Sequence, residues 1–71
     1  MMERHLALSL RVARLGASLR RADPDLVLQA GRRAWSVKDR RTSLVEVIGD
    51  LAEIEAWLAA VQRAAETRRR A

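Results

Sequence analysis

Residues 31–41, GRRAWSVKDRR, gather five basic side chains, one acid and one of the chain's two tryptophans. Phosphate recognition calls for such a density of cations, because each guanidinium is permanently charged and presents a fork of donors matched to two oxygens. On this reading Arg32 and Arg33 hold phosphates, and Lys38, Arg40 and Arg41 enter a groove. Thr42 and Ser43 add hydrogen-bonding capacity. The geometry required is a helix-turn-helix: a first helix over PDLVLQAGRRAW, a turn at Ser36–Val37 and a reading helix opening with KDRRTSLVEVI. Two features count against it. The turn lacks the glycine often found there, and the reading helix becomes acidic at once, with Glu46, Asp50, Glu53 and Glu55. The plainer role is structural, since cations at a helix C-terminus contribute about 0.3–1 kcal/mol each.

The acidic residues suggest a second kind of chemistry. Glu46, Asp50 and Glu53 form a row on one helix face, with Trp57 beside it. Tryptophan is enriched where interfaces are energetically concentrated. Trp57, Asp50 and Glu53, with Trp35 as a further candidate, are therefore the expected contacts to a protein partner. Trp57 is equally suited to a core, and Trp35 is better suited to one. Glu55 falls close to the apolar arc of the same helix, where an arginine from another chain would satisfy it.

Catalytic chemistry has little to work with. A nucleophile needs a base and an orienting group, and the sole histidine is His5, expected at a surface or interface. Without cysteine, one histidine cannot complete a zinc site. Gly16, Gly31 and Gly49 are isolated, so no glycine-rich loop cradles a phosphate. No enzyme, metal, cofactor or small-molecule substrate is expected.

The elements that would position these groups follow from periodicity. Leu44, Val47, Leu51, Ile54, Leu58, Val61 and Ala65 alternate steps of three and four, which predicts a long helix over 43–69 opened by a Ser43–Glu46 capping box. Asp23, Pro24 and Asp25 predict the start of a shorter helix over 24–35. The first helix spans 2–22 and carries two apolar faces: Leu8, Val12, Leu15 and Leu19 on one, Leu6, Leu10, Ala13 and Ala17 on the other. Residues 67–71 are expected to fray. The predicted fold is a single all-α domain of three helices, the long first and third antiparallel, with Leu8, Val12, Leu15, Leu19, Leu44, Val47, Leu51, Ile54, Leu58 and Val61 in the core or dimer seam.

A chain of 71 residues buries only about 60% of its unfolded surface, so its lone core is marginal. With disulfides excluded, self-association is the remaining support, and a homodimeric helical bundle is expected. The net charge of +5 would ordinarily favour nucleic acid. Asn, Phe and Tyr are absent and one Lys stands among 14 basic residues, a pattern that also follows from a GC-rich, bacterial codon bias. No run approaches the ~20 apolar residues of a membrane span. The expectation is a cytoplasmic, non-catalytic regulator, inhibitor or adaptor that binds a protein, with a dimeric DNA-binding repressor using residues 32–43 as the alternative.

Overall fold

The computed structural model describes residues 2–70, with side chains from Leu6 onward. His5, expected above at a surface or interface, lies outside the described side chains. The element order is α1 (Met2–Ala22), β1 (Leu26–Ala30), β2 (Trp35–Asp39), β3 (Val45–Gly49) and α2 (Leu51–Arg70). This corrects the all-α expectation. The strands form one antiparallel meander in the order β1-β2-β3, and both helices contact the sheet.

The helix predicted over 24–35 is a turn, β1 and half of a hairpin. Asp23 and Pro24 serve a β-turn as well as they would a helix start, because the first turn of a helix and a type I turn share local geometry. The Asp23 carbonyl accepts from the Leu26 N–H at 3.1 Å, and the Asp23 carboxylate accepts from the Asp25 N–H at 3.0 Å. The chain is thereby turned from α1 into β1. At the next hairpin the ladder closes from the Gly31 N–H to the Ala34 carbonyl at 2.9 Å, leaving Arg32 and Arg33 as its tip. A Cβ at residue 31 would lie 2.6 Å from that carbonyl oxygen, so only glycine fits there.

The helix predicted over 43–69 is likewise two elements. Ser43 caps nothing; it has φ 61° and lies in the five-residue loop 40–44 between β2 and β3. The true helix start is Asp50. Its carboxylate accepts from the Glu53 N–H at 2.8 Å, and the Glu53 carboxylate accepts from the Asp50 N–H at 3.4 Å, a reciprocal capping box. α2 then remains helical through Arg70, where a frayed tail was expected.

One face of the sheet meets the helices. Leu26 and Val37 are buried there with Leu15 and Leu19 of α1 and Leu51, Ile54 and Leu58 of α2. Val12, Leu28, Trp35, Val47 and Trp57 close the margin. Leu8, Leu44 and Val61, assigned above to the core, are exposed. Leu8 lies on α1 before the sheet begins, Leu44 precedes β3, and Val61 lies on α2 past the last core contact.

The helices run in the same direction, not antiparallel. Arg11 pairs with Glu55, Ser18 borders Leu58 and Gln62, and Ala22 borders Ala65 and Glu66, so residue numbers rise together along both axes. An odd number of reversals between α1 and α2 would have inverted that relation. Their free halves therefore project from opposite ends, giving extents of 48 × 25 × 18 Å.

Candidate interaction surfaces

The GRRAWSVKDRR segment divides into three parts with different duties. Its C-terminal arginines are consumed within the fold. Arg41 reaches three carboxylates: Nε to Asp25 at 3.2 Å, and Nη2 to Asp39 at 3.4 Å and Asp23 at 3.5 Å. Arg40 donates from Nη2 to the Pro24 carbonyl at 3.2 Å and from its backbone N–H to the Asp25 carbonyl at 2.9 Å. Together they fasten the β2–β3 loop to the α1–β1 turn. Asp39 is the only buried charged residue among those described. The Arg41 N–H donates to its Oδ1 at 2.8 Å. That backbone hydrogen bond holds the carboxyl below the usual carboxylate range against the opposing effect of burial, and the Arg41 guanidinium adds to the lowering.

The middle of the segment is β2. Trp35, Val37 and Asp39 turn toward the helices while Ser36 and Lys38 turn away, so the turn and reading helix of a helix-turn-helix are not formed. Thr42 is exposed in the loop, its hydroxyl oxygen accepting from the Leu44 N–H at 3.3 Å. At the N-terminal part, Arg32 and Arg33 are exposed at the hairpin tip, and neither makes an ion pair among the described residues.

The residues proposed as partner contacts are placed at the start and along the flank of α2. Asp50 and Glu53 cap each other's backbone, and Trp57 and Trp35 are half-buried against the core. Glu55 finds its arginine inside the chain, not across a dimer. Arg11 of α1 donates from Nη2 to Oε1 at 2.6 Å and from Nε to both carboxylate oxygens at 3.2 Å. This bidentate pair joins the two helices near the start of their contact. The side-chain hydrogen bond, then the charge of Arg11, holds the Glu55 carboxyl below its ordinary range, with burial opposing.

A surface that sequence periodicity missed lies on the side of the sheet away from the helices. The register places Val27 and Gln29 of β1, Ser36 and Lys38 of β2, and Val45 and Ile48 of β3 on it. Val45 and Ile48 share this face although three residues apart, because Glu46 is an extra residue: Val37 pairs with Val47 and Lys38 with Val45. Ile48 is 64% exposed and Val45 50%, with Leu44 alongside at 63%. No element of the described chain covers them.

No helix among the described residues is long and apolar enough to cross a membrane. Compared with known proteins, the chain matches no family model, no curated protein and no solved structure.

Proposed function

We propose that the protein is a non-catalytic regulator or adaptor that works by holding a protein partner against the open face of its sheet. One observation carries this reading. An antiparallel sheet with one face in water normally alternates apolar and polar residues, whereas strands covered on both faces read as continuous apolar runs. β1 begins Leu26-Val27-Leu28, and the bulge at Glu46 sets Val45 and Ile48 of β3 on the open face with Val47 on the other, so both edge strands carry apolar residues on both faces. The chain covers one. Lys38 sits on the central strand of the open face, without an ion pair among the described residues. Two copies stacked through this face would bring their lysines together, while an apolar segment carrying a carboxylate would satisfy both features.

The test is a double substitution, Val45→Thr with Ile48→Thr, which keeps β-branched residues in the strand and removes apolar surface. Quantitative cross-linking in source cells should show partner capture falling by about tenfold or more, the effect of losing interface contacts worth about 1.4 kcal/mol or more together. Thermal melts should stay near those of the parent. Capture at the parent level would exclude this face.

The hairpin tip favours a second reading, contact with a polyanion. Two-residue hairpin loops prefer Gly, Asn and Asp, yet here two free arginines occupy the tip. Departures from local turn chemistry concentrate at functional positions. Arg32→Ala and Arg33→Ala should each lower the salt slope of duplex binding by about one unit, measured by fluorescence anisotropy between about 50 and 200 mM salt. Absence of duplex binding at the lower salt returns both arginines to solvent.

A further inference from the structure

The molecule exposes more surface than its mass accounts for. A folded monomer of 8.0 kDa has an accessible area of about 4,450 Å² by the usual scaling, whereas this chain presents 5878 Å². Its radius of gyration is 13.2 Å, against about 11 Å for a compact domain of this length. The excess of about 1,400 Å² exceeds the ~800 Å² that each partner contributes to a standard interface.

Part of that surface is the outer stripe of α1. Leu6, Leu10, Ala13 and Ala17 follow one another in steps of four, three and four, about 155° around the helix from Val12, Leu15 and Leu19, which face the core. Leu6 is 65% exposed and Leu10 56%, and Ala13 is exposed. Gradation in size along the stripe is the informative feature: large residues occupy the N-terminal half and small ones the C-terminal half.

We infer that a second copy of the chain covers this stripe, with the two α1 helices antiparallel about a two-fold axis near the level of Arg11 and Val12. In that arrangement Leu6 lies over Ala17 of the second copy and Leu10 over Ala13, and the same two contacts recur across the axis, as an isologous interface requires. Each layer then holds one large and one small side chain, so the helix axes keep a constant separation. A parallel pair does the opposite. It stacks leucine on leucine at one end and alanine on alanine at the other, and it sets Arg14 and Arg21, which flank the stripe, beside their own copies. The stripe and the open sheet face adjoin at the cleft lined by Ala13 and Val27, while Val45 and Ile48 lie on β3 at the opposite edge of the sheet, so substitutions there test the two readings separately.

Sedimentation equilibrium of the full chain should give about twice 8.0 kDa. Leu10→Lys should raise the dissociation constant about thirtyfold or more, as loss of a central interface residue does. Register is read by disulfide formation, which the cysteine-free sequence makes clean. A mixture of Leu10→Cys chains with Ala13→Cys chains should cross-link between the two variants, and Leu10→Cys chains alone should not. A monomeric parent, a dimer indifferent to Leu10→Lys, or self-cross-linking of Leu10→Cys would each overturn the proposal. Dissociation by Val45→Thr with Ile48→Thr would also overturn it, by moving the second copy to the sheet; an intact dimer in that variant supports it.

Discussion

Replacing Leu19 with Ala should remove about half of the protein's stability, and Ile54→Ala should do the same. Both side chains are fully buried, 0% exposed. Leucine-to-alanine changes at such sites cost about 2.7–5 kcal/mol, the lost transfer energy plus that of the cavity left behind. A domain of this length is stable by only about 4–10 kcal/mol in total. The core is also small: the described buried apolar residues are Leu15, Leu19, Leu26, Val37, Leu51, Ile54 and Leu58, and each touches others in the set. Little remains to redistribute the loss. The informative controls are Leu44→Ala and Val61→Ala, which share the three-four spacing of Ile54 but are exposed. They should shift stability by no more than about 0.5 kcal/mol. Urea titrations at one protein concentration would decide the matter, since self-association makes stability concentration-dependent. Equal losses at Leu44 and Ile54 would restore the continuous helical seam and sink the strand assignment.

Acid should unfold the protein through Asp39 and Glu55. Both carboxyls are held below their ordinary ranges, Asp39 first by the Arg41 N–H and Glu55 first by the Arg11 side chain. A carboxylate with a lower pKa in the folded than in the unfolded chain binds protons more weakly when folded. Its stabilisation is therefore complete above the unfolded values of about 4 and is lost as pH falls from there through the folded values. Asp39→Asn should flatten this acid limb and lower stability at neutral pH. It weakens the acceptor for the Arg41 N–H and leaves Arg41 with only the more exposed Asp23 and Asp25. Arg41→Ala should lower stability at neutral pH and flatten the acid limb, because three aspartates would then face one another without a cation and acid would relieve that repulsion. Thermal melts from pH 7 down to pH 2 would test both variants. An unchanged acid limb in Asp39→Asn would show that Asp39 does not govern it.

The basic segment illustrates how far residue types alone carry. Its arginines are the right chemistry for phosphate wherever they are free, and the sequence has no means of telling which are free. Arg40 and Arg41 are engaged by Pro24, Asp23 and Asp25, partners 16 to 18 residues away, which only the return of the chain along β2 brings near. Arg32 and Arg33 are left at the tip because the hairpin closes at Gly31 and Ala34. The tryptophans and the acids of α2 were similarly legible as special positions, but Asp50 and Glu53 cap a helix whose start lay hidden inside a longer apparent period.

Some of the strand signal was present. Trp35-Ser36-Val37-Lys38 alternates apolar and polar, and four of the six valines fall in the three strands. It was masked where β1 and β3 are apolar on both faces, and the bulge at Glu46 set Val45 and Ile48 at a spacing that mimics a helix turn. By itself the sequence determined α1, the helix over Leu51–Arg70, the scarcity of catalytic groups and the excess of apolar surface, all properties of neighbours a few residues apart. Tertiary structure decided the sheet, the direction of the helices and which charges remain free. Those depend on contacts between distant residues, and five-residue strands stabilise only by pairing with one another.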